Sequence, residues 1–117
     1  MSDRFKFRIF DKESQKYHNG MEVFDYMRGV LSPDKYVMEQ STGLKDKNGK
    51  LIYEGDILKC VHSDIMKYKI YWGRSCWRMK VYGTNNEIVD DTHLFLDTDI
   101  LEVIGNIHEN ADLLGEK

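Results

Sequence analysis

Proline, cysteine and long apolar runs are all scarce in this chain. Their scarcity argues against a proline-rich linker, a disulfide framework and a membrane-spanning helix. The 117 residues include one proline, Pro33, so there is no proline-rich linker, and the length fits one domain over residues 1–117. No apolar run approaches the roughly 20 residues that a membrane-spanning helix needs. The first ten residues are charged and lack the apolar block of a signal peptide, so we expect a cytoplasmic protein with no membrane partner. In that compartment Cys60 and Cys76 are expected to be thiols.

The net charge of −3 is unevenly distributed. Residues 1–82 hold 16 basic and 11 acidic residues, a net of +5, whereas residues 83–117 hold 1 and 9, a net of −8. Such a split is typical either of a basic binding face beside an acidic region or of two solvated faces within one fold. Charge alone does not choose between them.

Short apolar segments separated by turn residues dominate the chain, and several alternate strictly between apolar and polar residues. Gly105 is expected at a bulge or a bend, and Asn110 is expected to cap a short C-terminal helical turn. Residues 11–20 are polar and close with the turn signal Asn19-Gly20, and the pair Asp90-Asp91 is expected to be an exposed acidic turn. The pattern predicts a mainly β fold, a small antiparallel barrel or sandwich with an SH3-like barrel among the candidates. The predicted strands are 4–10, 35–40, 50–54, 57–61, 66–72, 77–82, 92–96 and 100–107, and residues 21–27 fit a strand or a short helix.

The stretch "TGLKDKNGKLIYEGDIL", residues 42–58, has the density of carboxylates that a calcium loop would need. If Gly49 took the glycine position of an EF-hand loop, Leu44 and Gly55 would fall on the first and last ligand positions, which neither can fill. The spacing therefore favours a hairpin turn in which Asp46 and Asn48 bond their own backbone.

Glu54 and Asp56 are two residues apart and could in principle form a catalytic pair. General acid–base chemistry needs two carboxylates in different environments around a substrate, and nothing in the sequence supplies that pocket. We expect instead that Gly55 relaxes a turn, that Asp56 accepts backbone N–H groups and that Glu54 faces water. An enzyme centred on this pair stays the weakest hypothesis, and no small-molecule substrate is evident.

Zinc is a further alternative, because Cys60 and His62 would share one face of a strand, with Cys76 and His93 as distant partners. Structural zinc sites usually show paired ligands at short fixed spacings, and the sequence has none. We therefore predict no metal and no cofactor.

Three predicted strands place cations opposite an apolar face. If the strands were neighbours, they would form a basic sheet surface with interleaved tyrosines, which could bind phosphates and stack on unpaired bases. The alternative is a solvated face whose cations pair with Asp or Glu. The candidate nucleic-acid-binding residues are Arg4, Lys6, Arg8, Lys67, Lys69, Arg78 and Lys80.

Aromatic residues on two of these strands suggest a protein interface instead, because interfaces are enriched in Tyr, Trp and Arg. The candidates are Tyr71, Trp72, Trp77 and Tyr82, and all four are expected to be exposed.

Three segments together resemble the YopX family of phage and prophage proteins. The stretch at 42–58 is similar to the central signature of the family, "KFRIFDK" (6–12) to its opening segment and "EVIGNIHENADLL" (102–114) to its closing one. The chain departs at Phe10, where the family often has tryptophan, and at Ala111, where proline is usual. The residues that we interpret as a structural signature of the fold are Gly43, Asp46, Asn48, Gly49, Tyr53, Gly55, Asp56, Gly105 and Asn106.

The resemblance implies a small, mainly β protein that is encoded by a phage or prophage and works in the bacterial host cytoplasm. It carries over no active site. We therefore expect a non-enzymatic accessory protein that binds another protein or associates with itself, and a small nucleic-acid-binding β module is the alternative.

Overall fold

Antiparallel strands make up most of the computed structural model, which describes residues 6–18, 34–63, 65–74, 76–94 and 99–115. The described residues form nine strands followed by one 3-10 turn at Ala111–Leu114. The strands are β1 (Phe7–Asp11), β2 (Lys16–His18), β3 (Tyr36–Lys45), β4 (Leu51–Tyr53), β5 (Asp56–Cys60), β6 (Lys67–Gly73), β7 (Cys76–Tyr82), β8 (Ile88–His93) and β9 (Leu101–Asn106).

These strands form two sheets. The first has the order β2-β1-β3-β4 and the second the order β8-β7-β6-β5-β9, with every neighbouring pair antiparallel. The long strand β3 pairs with β1 through its first half and with β4 through its second half, and a register irregularity between Ser41 and Lys45 accommodates Gly43. The predicted mainly β class and the C-terminal helical turn are confirmed.

Two strands include residues that we did not predict to lie in a strand, and the turn expected at Asp90-Asp91 is wrong. β2 falls within residues 11–20 and pairs with β1, while β8 contains Asp90 and Asp91 and forms one edge of the second sheet. β2 is short and polar, and β8 is mostly exposed, so neither shows the alternation of a half-buried strand. The predicted segment 21–27 lies outside the described residues, as does part of the segment 92–96.

The larger core lies on one face of the second sheet. β5, β6 and β7 contribute Leu58, Ile70 and Met79, which are at most 1% exposed. The first sheet covers them with Ile52 of β4, and Trp77 packs at the margin of this cluster. The alternation of apolar residues along β6 and β7 therefore has the cause we expected, a buried face opposite a polar one.

A smaller cluster covers part of the opposite face. Ile57 and Tyr82 are buried there beneath Leu114 of the terminal 3-10 turn. Nζ of Lys67 donates to the backbone oxygen of Leu113 at 2.9 Å. The C-terminal segment thus lies across the sheet face that carries the cations.

The glycine bulge in β9 is confirmed. Ile57 pairs with Gly105 and Leu58 with Val103, so Ile104 is the extra residue.

Among the described residues, no helix is long and apolar enough to cross a membrane. Cys60 and Cys76 are free thiols.

Candidate functional site

The guanidinium of Arg8 lies between two buried carboxylates at the seam of the two sheets. Nε donates to Oε1 of Glu39 on β3, and Nη2 donates to Oδ1 of Asp56 on β5, each at 2.8 Å. The rings of Tyr17 and Tyr53 lie 4.4 and 4.7 Å from the guanidinium carbon. Strand β1 was expected to present Arg8 to solvent, and that expectation is wrong because carboxylates from both sheets, Glu39 and Asp56, bind its guanidinium.

Glu39 has two further partners, and its side chain is only 3% exposed. Its Oε1 accepts from the Tyr17 hydroxyl at 3.1 Å, and its Oε2 lies 2.9 Å from Nε2 of His108. A carboxylate only accepts, so Nε2 of His108 carries the hydrogen. The His108 ring also stacks on Phe10, with 4.2 Å between ring centroids. We call Arg8, Tyr17, Glu39, Asp56 and His108 the buried ionic cluster.

Burial and charge shift the pKa values of this cluster in different directions. Burial raises the pKa of Asp56, and the charge of Arg8 offsets it only in part. Burial alone would lower the pKa of Arg8, but the charges of Asp56 and Glu39 outweigh it and the net shift is upward. Burial and the charge of Glu39 raise the pKa of Tyr17. The guanidinium of Arg8 is therefore shared by two buried carboxylates, and His108 is a further partner of Glu39.

A cleft of about 200 Å³ opens beside the buried ionic cluster, between β3 and β6. Glu54 stands at this cleft and is half-buried, which corrects the expectation that it faces water. Burial raises the pKa of Glu54, and the charge of Glu39 adds to the increase. The lining residues are Val37, Met38, Glu39, Glu54, Gly55, Lys69, Ile70, Tyr71, Ile107 and His108.

The predicted cations do not form one surface. Arg8 belongs to the other sheet, Lys6 is exposed just before β1, and Arg4 lies outside the described residues. β6 and β7 are neighbours as expected, and Lys69 lies directly opposite Lys80 on a shared face. Only the part of the predicted basic surface on β6 and β7 is therefore assembled.

On that face, Arg78 forms an ion pair with Asp91 of β8. Nε of Arg78 donates to Oδ1 of Asp91 at 3.1 Å and to the Tyr71 hydroxyl at 3.2 Å. The Tyr71 hydroxyl in turn donates to the Asp91 carboxylate at 2.5 Å. The hydrogen bond from Tyr71, helped by Arg78, lowers the pKa of Asp91. Arg78 is 8% exposed, so it is closed to a large ligand.

The four predicted aromatic residues differ in exposure. Trp72 is 54% exposed at the end of the β6–β7 hairpin, and its ring meets that of Trp77 edge to face with 5.1 Å between centroids. Trp77 and Tyr71 are half-buried. Tyr82 is 4% exposed under the C-terminal turn, so its predicted exposure is wrong.

The carboxylate of Asp46 organises the turn at the centre of the fold signature. Its Oδ1 accepts the backbone N–H groups of Asn48 and Lys50, and its Oδ2 accepts that of Val103 on β9, all at 2.9 Å. Asp46 therefore bonds its own turn as predicted, whereas the Asn48 amide reaches Glu102 instead, at 3.4 Å. The other signature carboxylate behaves similarly, since Asp56 accepts the backbone N–H of Tyr53 at 2.7 Å.

Two signature glycines permit close approach. A Cβ on Gly55 would lie 2.5 Å from Oε2 of Glu39, and one on Gly105 would lie 2.6 Å from Oδ1 of Asn110. Asn106 organises the turn that follows, because its Oδ1 accepts the backbone N–H groups of His108 and Glu109. Asn110 precedes the 3-10 turn as predicted, but in the described structure its side chain accepts from the Asn106 backbone rather than capping that turn.

Sequence reasoning missed three members of the buried ionic cluster: Tyr17, Glu39 and His108. Glu39 was one polar residue in a predicted strand, and His108 showed no recognisable partner. The usable signal was Arg8, a cation within a strand whose neighbours on both sides are apolar.

The fold and the buried ionic cluster define a class of small mainly β proteins whose two antiparallel sheets are joined by ion pairs. A model of one family, described as YopX protein, matches residues 22–115. The chain belongs to the YopX family. It is also similar to a solved structure, described as the crystal structure of protein EF1440 from Enterococcus faecalis, with 25% identity and a TM-score of 0.57. That likeness covers 93% of this chain and 96% of the other, and the comparison with curated proteins found no match.

Proposed function

We propose that this chain is a non-enzymatic phage or prophage accessory protein that acts in the bacterial host cytoplasm by binding another protein. The resemblance of the chain to the YopX family supports the phage setting. The exposed Trp72 at the tip of the β6–β7 hairpin is the observation that carries the binding role.

The hairpin tip has the properties of an interface anchor. Trp72 is exposed over half its surface, yet Trp77 holds its ring edge to face, and Trp77 itself packs against the core. A preordered tryptophan loses little conformational entropy on binding. Arg74 is exposed one residue beyond Gly73, and Trp and Arg are the residue types most enriched at binding hot spots.

The surroundings of the Asp56 and Glu54 carboxylates support the non-enzymatic part of the proposal. Asp56 is 1% exposed and is engaged by Arg8 and by the backbone of Tyr53, so it serves the fold rather than a substrate. Glu54, the other carboxylate of the hypothetical pair, is half-buried and lines the cleft.

The test is affinity purification of the tagged full chain from phage-infected cells, with and without nuclease. The wild type should retain a defined protein, or form a defined oligomer, that survives nuclease treatment, and Trp72→Ala should lose it. Ile65→Ala is the matched control, because Ile65 is also 54% exposed but precedes β6 at its other end. Equal retention by Trp72→Ala and wild type, or a monomer that retains no protein, would contradict the proposal.

Nucleic-acid binding is the second candidate, and the Lys69–Lys80 pair favours it. Lys80 lies opposite Lys69 on one side and Asp91 on the other, and a phosphate backbone could compensate the positive charge that remains. Fluorescence anisotropy with labelled single-stranded DNA and RNA would test it. Binding should fall steeply with salt and should be weakened in a Lys69→Gln/Lys80→Gln variant. Unchanged anisotropy at low salt would rule this candidate out.

A further inference from the structure

The cleft beside the buried ionic cluster has walls of opposite charge. We propose that it binds a small zwitterionic amino compound of the α-amino acid class, with the ligand ammonium at Glu54 and the ligand carboxylate at Lys69. This inference goes beyond the proposed function and does not depend on it.

The charged groups on the two walls of the cleft do not neutralise each other. Glu54 and Lys69 line the same cleft of about 200 Å³, but they form no ion pair. Within the described part of the chain, Lys69 has no acidic partner, and it faces the like charge of Lys80 across the strand pair. A ligand with one charge of each sign would compensate both walls at once.

The inner end of the cleft favours the cationic end of such a ligand. Glu39 and Asp56 share the guanidinium of Arg8, and Nε2 of His108 lies 2.9 Å from Glu39, so this end of the cleft is rich in carboxylates. Glu54 adds a third carboxylate close by, and the upward shift of its pKa shows the effect of burial and of Glu39. An ammonium group at this point would stabilise the ionised form of Glu54.

The remainder of the lining sets the size and polarity of the ligand side chain. Val37, Met38 and Ile107 make this part of the cleft largely apolar. A Cβ on Gly55 would lie 2.5 Å from Glu39 and 3.4 Å from Ile107, so the glycine keeps the base of the cleft open. An aliphatic amino acid such as valine, leucine or methionine matches this lining better than aspartate or lysine does.

The experiment is a titration of the ¹⁵N-labelled full chain with each standard amino acid, followed by amide chemical shifts. We expect saturable shifts at Gly55, Ile70 and His108 with aliphatic amino acids at millimolar concentration. Glu54→Gln and Lys69→Met should each weaken the binding about tenfold. Lys80→Met is the matched control, since Lys80 lies opposite Lys69 but does not line the cleft.

Methylamine carries only the cationic group of the proposed ligand and acetate only the anionic group, so the two compounds test the two ends of the cleft separately. Each should shift the same amides more weakly than the amino acid does, and acetate should lose its effect in Lys69→Met. The proposal is overturned if no amino acid shifts these amides, if acetate alone binds as well as the amino acid, or if Lys69→Met leaves the affinity unchanged. Chemical denaturation of each variant checks that the fold is retained.

Discussion

Arg8 and Asp56 are 48 residues apart in the chain, yet a guanidinium nitrogen of one donates to a carboxylate oxygen of the other at 2.8 Å. Arg8 belongs to the first sheet and Asp56 begins a strand of the second. With the contact of Arg8 to Glu39, this pair joins the two sheets through charges that are nearly removed from water.

Replacing Arg8 should therefore destabilise the fold strongly. Arg8→Met removes the cation that the buried carboxylates of Glu39 and Asp56 share, and breaking a buried pair in this way typically costs about 3–5 kcal/mol. Urea denaturation at neutral pH measures the loss. Arg8→Lys should recover only part of it, because one ammonium cannot reproduce the forked contact to both acids. Lys35→Met is the control, since the Lys35 side chain is 62% exposed, and a similar cost for it and for Arg8→Met would contradict the assignment.

The stability of the Asp46 turn should depend on pH with a defined sign. Burial alone would raise the pKa of Asp46, but backbone hydrogen bonds from Val103, Lys50 and Asn48 outweigh it, so the pKa in the folded state lies below the ordinary value of 3.8. The contribution of Asp46 is fully present above that value and is lost as the pH falls towards the folded-state pKa.

Asp46→Asn should consequently cost about 1–3 kcal/mol near neutral pH, because the amide nitrogen cannot accept the N–H of Val103. The difference in the free energy of unfolding between wild type and Asp46→Asn should become smaller when the pH of the denaturation series is lowered past 3.8. Asp112→Asn, at an exposed position, provides the control. A difference in stability that grows as the pH falls would contradict the predicted sign of the pH dependence.

Gly105 and Gly49 should respond differently to alanine. A Cβ on Gly105 would lie 2.6 Å from Oδ1 and 2.8 Å from Cβ of Asn110, so overpacking should cost about 1–3 kcal/mol and displace the C-terminal turn. Gly49 has a φ of 81° but nothing within 4 Å of its Cβ position, so only the backbone penalty of about 1 kcal/mol applies. Thermal denaturation compares the two variants, and Asn110→Gly should rescue Gly105→Ala but not Gly49→Ala.

Local pattern was sufficient to predict much of the second sheet. Alternation along β6 and β7 indicated which residues share a face, and the register that places Lys69 opposite Lys80 agrees with it. The Asp46 turn and the bulge before Gly105 were also predictable, because their chemistry involves residues close in the chain or a glycine in a strand.

Alternation could not show what covers each face of a strand. β1 alternates like a half-buried strand, but Arg8 on its polar side is only 13% exposed. The groups that cover it come from Glu39 and Asp56, and His108 follows on the far side of Glu39. These residues are separated by tens of positions, and no periodicity links them. β8 was predicted only at Thr92 and His93 for a different reason, since its side chains are mostly exposed and no buried face imposes alternation on them.

The two tryptophans of the β6–β7 hairpin should contribute unequally to stability. Trp77 packs against the core, so Trp77→Ala should lower the free energy of unfolding by about 2–3 kcal/mol through lost apolar burial. Trp72 is 54% exposed, and Trp72→Ala should cost only the edge-to-face contact, about 0.5–1.5 kcal/mol. Urea denaturation followed by far-ultraviolet circular dichroism avoids the change in tryptophan emission.

Acrylamide quenching of the single variants provides the independent check on exposure. Trp77→Phe retains only Trp72 and should be quenched more strongly than Trp72→Phe. Equal costs of the two alanine variants, together with equal quenching of the two phenylalanine variants, would show that Trp72 is held as deeply as Trp77. Trp72 could not then be the exposed anchor at the hairpin tip on which the binding role depends.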